Sequence, residues 1–475
     1  MPHPALFWFR QDLRLADNPG LCELGDRPGL LVYVLDDAAA GAWAAGGAHR
    51  WWLHHSLAAL EASLRERGQT LYLARGDAAE IIPALAARIG AREVLAGRLY
   101  EPWARRRDEA ITERLALEGR SLTLHTSSLL QEPHRIRTGN GKPYSVYTPF
   151  SRAIFALGEP HSPLPAPERL EPVADAPAGL SLDALALLPR PDWWREFPAH
   201  WTPGEAGAAA RVAEYGELAI GHYAGARDTP GTDGTSRLSP HLHFGEVSPR
   251  QLWHAAREFG VAGEATFLKE VLWREFFYHL LWHRPEMPES PLQAEFARFP
   301  WQPDAEALHA WQRGMTGYPI VDAGMRQLWR MGWMHNRVRM IAASFLIKHL
   351  LQPWQDGAAW FWDTLVDADL ASNSASWQWV AGSGADASPY FRIFSPILQG
   401  EKFDAHGAYV RAWVPELAKL PDKYLHKPWE APEPVLRAAG IVLGTHYPRP
   451  IIAHAQGRAR ALAAYAAMRE GSATA

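Results

Sequence analysis

From Trp362 to Trp379 the chain reads WDTLVDADLASNSASWQW, a short span carrying Asp367, Asp369, Asn373, Trp377 and Trp379. A buried carboxylate without a partner is costly, so two of them in so apolar a stretch require a cation or the N–H groups of a ligand. The nearest candidate cation is Arg339, on the segment Gly332 to Leu351, whose planar guanidinium suits a bidentate pair with a carboxylate. Alone, that pair is a buried salt bridge. With an amide and two indoles beside it, the mixture suits a buried redox cofactor.

Other clusters have similar potential. Gly234 to Pro240 (GTSRLSP) places the hydroxyls of Thr235, Ser236 and Ser239 before a helix, with Ser239 suited to the N-cap and Pro240 to the first helical position. Free N–H groups at such an end favour an anion, for instance a cofactor phosphate, although a plainly capped helix has the same spelling. Glu270, Trp273 and Arg274 fall at i, i+3 and i+4, on a face that Phe267 and Phe277 extend. That face suits a flat, hydrogen-bonding ligand, or else a buried helix with one ion pair. Asn336, Arg339 and Met340 share another face, while Arg337 points elsewhere, to a phosphodiester or to solvent. Trp301, Trp354 and Trp377 are far apart in sequence and, by spacing alone, read as packing residues.

Two kinds of element must position these groups. Apolar runs at Ala5 to Phe9, Leu30 to Leu35, Thr70 to Ala74, Glu93 to Ala96 and Leu122 to His125 alternate with helical stretches, His49 to Arg67 and Ala104 to Leu117 among them, ending at Gly68 and Gly119. This pattern predicts an α/β domain with a parallel, Rossmann-like sheet over 1–130. Residues 131–203 read as an interdomain linker, Pro-rich from about Leu157 and too polar and broken for a core. The remainder, 204–475, is helical in pattern, with segments Ala206 to Arg227, Pro249 to Glu258, Ala265 to His283, Asp322 to Met331, Gly332 to Leu351 and Ala453 to Arg469. It predicts a larger all-α domain.

Composition narrows the chemistry. With 475 residues there is room for two or three well-buried domains, and 22 Trp exceed what packing asks for. The single cysteine, Cys22, excludes an internal disulfide, a zinc ribbon and a four-cysteine iron–sulfur cluster, so redox chemistry needs an organic cofactor and no metal site is expected. A net charge of −4 speaks against a protein that coats DNA, yet leaves room for a local basic groove. No run is apolar for the ~18 residues a membrane span needs, and the charged start does not read as a signal peptide, so a cytoplasmic location is expected.

Taken in order, FWFRQDLRLADNPGL at Phe7, TSRLSP, KEVLWREFF at Lys269, TGYPIVDAGMRQL at Thr316, GWMHNRVRM at Gly332, DADLASNSASWQW at Asp367 and FRIFSPILQGEKFD at Phe391 resemble the photolyase and cryptochrome family over nearly the whole chain, most of all bacterial class I cyclobutane pyrimidine dimer photolyases. The resemblance implies FAD in the helical domain, with Tyr223, Thr235, Ser236, Leu238 and Ser239 on its phosphates and ribityl chain. It implies Arg339 paired with Asp367 against the isoalloxazine, Asp369 on flavin polar atoms, and Asn373 facing N5. It further implies UV-damaged DNA as partner, with Glu270, Trp273, Asn336, Met340 and Trp379 around a flipped-out dimer and Arg227, Arg337 and Arg392 on strand phosphates. Trp377, Trp354 and Trp301 match an electron relay. No obligate protein partner is read.

Some positions depart from the pattern. Asn373-Ser374-Ala375-Ser376-Trp377 stands where many repair enzymes have NNGGW, which puts redox tuning in question. Tyr100-Glu101-Pro102 runs into Trp103-Ala104 where folate-binding members carry Asn-Glu. The antenna position is thus open to methenyltetrahydrofolate bound differently, to a deazaflavin, to FMN or to no second chromophore. Met340 stands where (6-4) enzymes are expected to place a His. The alternatives to a repair lyase are a blue-light signalling cryptochrome on the same flavin fold and a dark flavin oxidoreductase; no G-x-G-x-x-G follows the first strand to support the latter.

Overall fold

Five short runs dominated by Leu, Val, Ala and Phe form the strands β1 (Ala5–Phe9), β2 (Gly29–Leu35), β3 (Leu71–Arg75), β4 (Glu93–Gly97) and β5 (Ser121–His125) of a computed structural model describing residues 3–218, 220–260, 263–386 and 391–473. The sheet is wholly parallel with order β3-β2-β1-β4-β5, Phe7 of β1 lying opposite Leu31 of β2 and Leu95 of β4. Helices α1 (Gly47–Arg65), α2 (Ala78–Arg88) and α3 (Pro102–Leu117) cover it, which is why its central strands are apolar throughout. Gly68 and Gly119 adopt φ of 76° and 68°, the left-handed geometry that ends α1 and α3 near where the sequence predicts.

Residues 157–203 form no element longer than a three-residue turn, in keeping with the Pro-rich composition. They are nevertheless packed. Leu170, Leu185, Leu187, Phe197 and Trp201 enter one core with Phe7 and Leu31 of the sheet and with Phe244, Met331 and Val366 of the helical region. The segment expected to be too polar for a core is therefore a strap whose scattered apolar residues join the two regions.

The helical region contains α4 (Tyr147–Ala156), which precedes the strap, then α5 (Glu205–Leu218), α6 (Ser239–His243), α7 (Pro249–Phe259), α8 (Glu264–His283), α9 (Pro319–Met331), α10 (Asn336–Ser344), α11 (Trp354–Thr364), α12 (Leu370–Ala381) and α13 (His454–Ala473), among other short helices and turns. Two expected helices are interrupted. The stretch Ala206 to Arg227 stops at Leu218 and resumes as the short turns Ile220–His222 and Tyr223–Ala226. The stretch from Gly332 starts only at Asn336, because Gly332 closes α9 with φ 67° and His335 caps α10 by accepting the Arg337 N–H. It then widens into a π turn, Phe345–His349. Among the described residues no helix is long and apolar enough to cross a membrane.

Candidate functional site

Asp367 and Asp369 lie in the turn between α11 and α12. Asp369 is the N-cap of α12, its Oδ1 accepting the Ser372 N–H at 2.7 Å. Its Oδ2 accepts the Tyr278 hydroxyl at 2.5 Å and stands 3.3 Å from His243 Nδ1. Burial pushes this carboxyl up, but His243, Arg274 and Tyr278 together outweigh burial and hold it well below the usual carboxylate range. Both oxygens of Asp369 thus already accept from protein donors.

Asp367 differs. Its Oδ2 accepts the Ser239 hydroxyl at 2.6 Å and Arg339 Nη2 at 2.9 Å. The expected bidentate fork is absent because Arg339 Nε donates instead to the Met334 carbonyl at 2.7 Å. Asp367 Oδ1 is buried and has no hydrogen-bond partner among the described residues. A buried acceptor in this condition matches a ligand N–H.

Ser239 opens α6 but is not its N-cap; Leu238 occupies that place, and the Ser239 hydroxyl is engaged by Asp367. Arg211 of α5 braces the preceding loop, donating to the carbonyls of Ser236 at 2.7 Å and Thr235 at 2.8 Å. This leaves both hydroxyls on a fixed backbone. Tyr223 is buried edge-on between Tyr215 and Phe267. Asn373, also buried, donates from Nδ2 to the Ala358 carbonyl of α11 at 3.0 Å, which fixes its side chain across the α11–α12 pair.

The residues expected around a dimer occupy a second patch. Glu270 is ion-paired with Arg227, and not with Arg274, which lies on its own face but donates to the Ser128 carbonyl at 2.6 Å. Burial pushes the Glu270 carboxyl up, with Arg227 drawing it back. Trp273 is stacked face to face with Tyr147 of α4, centroids 3.7 Å apart and rings 5° from parallel. Asp386 ties in the remaining aromatic: its carbonyl accepts from Trp379 Nε1 at 3.2 Å and its carboxylate from the Tyr147 N–H at 3.3 Å. Asn336 is exposed and Met340 half-buried on the same face of α10. Arg337 is paired with Asp228 at 2.7 Å, whereas Arg392 is exposed, its guanidinium 4.7 Å from the Phe394 ring.

Trp377 and Trp354 share the central helical core, and Trp301 packs on its border. Trp377 meets Phe361 edge-on at 5.0 Å and Trp311 at 6.3 Å. Tyr147, Arg211, His243 and Tyr278 were not read as site residues from sequence. Tyr278 was within reach, since it follows Arg274 at i+4 on α8; the other three come from elements whose approach no local spacing reveals.

Residues 5–168 match the family described as DNA photolyase, and residues 267–467 the FAD binding domain of DNA photolyase. The deoxyribodipyrimidine photo-lyase of Agrobacterium fabrum is 51% identical, over 98% of each chain. Cryptochrome-1 of Arabidopsis thaliana is 37% identical, over 96% of this chain and 69% of its own. A crystal structure of a bacterial class III photolyase from Agrobacterium tumefaciens superposes with a TM-score of 0.96 at 51% identity, covering 99% of this chain and 98% of that one. That neighbour is described as a class III enzyme, whereas the motifs of this chain read as most like class I. The chain has the FAD-binding domain of these enzymes and belongs to the DNA photolyase family.

Proposed function

We propose that this protein splits cyclobutane pyrimidine dimers in DNA under light. The observation that carries the reading is the patch around Glu270, where an acid able to hydrogen-bond a base lies beside the Trp273–Tyr147 stack and the Trp379 indole. Aromatic walls with few polar contacts suit a fused pyrimidine pair turned out of the duplex, as photolyases do with their target. Glu270 would hydrogen-bond the dimer, Trp273 and Trp379 would pack on it, and Asn336 and Met340 would complete the pocket. Arg392 is free of ion pairs among the described residues and would meet a strand phosphate directly; Arg227 and Arg337 would first exchange Glu270 and Asp228 for phosphate.

The residues around Asp367 fit FAD. Its buried, unpartnered Oδ1 would accept a ring N–H, Arg339 and Ser239 would hold the carboxylate in place, and Thr235, Ser236, Leu238 and Tyr223 would line the phosphate and ribityl end. Asn373, held on Ala358, would present a neutral amide at N5 without adding negative charge. When bound and fully reduced, FAD supplies the photoexcited electron that opens the cyclobutane ring. The protein's part is to hold dimer and flavin together, exclude water, and keep Asp369 ionised behind the site. Trp377, Trp354 and Trp301 would carry electrons inward when the flavin is oxidised. A second, antenna chromophore of unassigned identity would only feed excitation to this site.

The test is a thymine-dimer oligonucleotide incubated with the purified protein, its flavin chemically reduced, under blue light and in darkness, followed by chromatography. Light-dependent recovery of thymines is expected. Bound FAD with no recovery would favour the signalling reading or a different lesion.

A further inference from the structure

Lys348 lies in the π turn that follows α10 and is 2% exposed. Its ammonium donates to the carbonyl of Ala381, the last residue of α12, at 2.7 Å and stands 3.1 Å from the centre of the Phe391 ring. Burial pushes the ammonium well below the ordinary lysine value, and among the described residues no carboxylate draws it back. A cation buried in this way is costly, and an unbranched apolar side chain would fill the same space at less cost. Its presence calls for a task that needs the charge. A helix-end carbonyl and an aromatic face are two acceptors that an ammonium can grip together and a methyl group cannot.

The two groups it grips stand next to two residues of the proposed dimer site. Trp379 lies on the last turn of α12, just before Ala381, and Arg392 directly follows Phe391. Arg392 is also bracketed. On one side Phe391 is stacked on Tyr465 of α13, centroids 4.5 Å apart and rings 12° from parallel, while on the other the Phe394 N–H donates to the Ser344 hydroxyl at 3.3 Å. Asn336, Met340, Ser344 and Lys348 follow one another at four-residue intervals along α10 and its π turn, so the element that presents two pocket residues also holds both brackets. We infer that Lys348 is a positioning residue for damage recognition, whose ammonium joins the end of α12 to Phe391 and so sets Trp379 and Arg392 at a fixed separation. This rests on the reading that Trp379 packs on a flipped dimer and Arg392 meets a strand phosphate. With both groups set in advance, the wall for the base pair and the contact to its backbone are met in one docking step, without ordering either on binding.

The experiment uses the full, FAD-loaded chain in darkness, with a thymine-dimer duplex and its undamaged counterpart as probes, and reads binding by fluorescence anisotropy over a series of salt concentrations. It compares wild type, Lys348→Met, Phe391→Leu, Arg392→Ala and Lys348→Met/Arg392→Ala, with flavin content and thermal unfolding recorded for each. Lys348→Met is expected to lower the salt slope for the dimer duplex by about one and to weaken binding about fivefold at about 0.15 M salt, the contribution of one phosphate contact. Phe391→Leu leaves Lys348 on the Ala381 carbonyl and should lower the slope likewise. In the Arg392→Ala background Lys348→Met should add nothing, because the contact it sets is already gone. A Lys348→Met protein with the wild-type slope, or losses that add in the double variant, would overturn the positioning role. Should Lys348→Met not fold, an unchanged slope in Phe391→Leu would overturn it equally. Wild type that binds the dimer duplex no tighter than the undamaged one would instead overturn the reading of the patch as a dimer site.

Discussion

Arg227 is ion-paired with Glu270, so a residue expected on the DNA backbone holds the residue expected on the damaged base. The two are 43 positions apart and meet because the short helix Tyr223–Ala226 ends against α8. A carboxylate that burial pushes toward its neutral form is thereby kept partly in check by a cation. Phosphate binding at Arg227 would weaken that hold, leaving Glu270 more readily protonated and able to donate as well as accept.

Glu270→Ala should therefore lower light-driven repair by about 10- to 100-fold, the equivalent of one hydrogen bond to a buried polar partner. Bound FAD should be unchanged, because among the described residues Glu270 is hydrogen-bonded to Arg227 and to neither Asp367 nor its partners Ser239 and Arg339. Repair kinetics and the flavin-to-protein absorbance ratio check both halves, and equal repair would refute the assigned role. Arg227→Ala should push the Glu270 carboxyl further up and reduce the salt slope of DNA affinity by about one.

Asp367→Asn should weaken FAD binding. The Asn oxygen can still accept from Ser239 and Arg339, but its NH2 then replaces the unpartnered Oδ1 and presents donors where the ligand is expected to donate. Leaving such a clash buried costs about 1–3 kcal/mol, or roughly 5- to 150-fold in affinity. Dialysis followed by flavin absorbance measures it; undiminished retention of FAD would place the ring elsewhere.

Trp354→Phe should slow photoreduction of oxidised FAD, and should spare repair once the flavin has been reduced chemically. Phe keeps an aromatic ring in the place of Trp354, which is 2% exposed in the helical core, while removing the readily oxidised indole. Transient absorption in the oxidised protein, paired with the repair assay in the reduced protein, checks it. Unchanged photoreduction would exclude Trp354 from the relay.

All five strands could be read from the sequence, their ends falling within about a residue of those observed, because short apolar runs between glycine-capped helices leave few alternatives. Gly332 and His335 hid the start of α10, since a glycine and a histidine cap are weak signals against an apolar pattern that continues through them. The site was legible where its chemistry is local. Arg339 and Asp367 do meet, but in one hydrogen bond, because the Met334 carbonyl takes the second donor. Pairings that depend on distant approach were not legible: Tyr147 on Trp273, Asp228 on Arg337 and His243 on Asp369 join segments more than 100 residues apart, and no spacing rule reaches that far.

Glu275 provides a test by pH. It is buried on α8, with the N–H groups of Leu130 and Gln131 donating to its two oxygens at 3.0 and 3.3 Å. Burial outweighs those bonds and the neighbouring Arg274, so the carboxyl is pushed up to about 7. With the folded value above the unfolded one, the native state binds the extra proton, and the stability gained is fully present below the unfolded value and lost as pH rises through about 7. Unfolding free energy should accordingly fall between about pH 4.5 and pH 7.5, this group contributing on the order of 3 kcal/mol. Glu275→Gln cannot titrate and should flatten that part of the curve, although its single carbonyl leaves the Leu130 or the Gln131 N–H unsatisfied and lowers stability at every pH. Chemical denaturation of both proteins across this range measures the slope; identical slopes would show that another buried group titrates there.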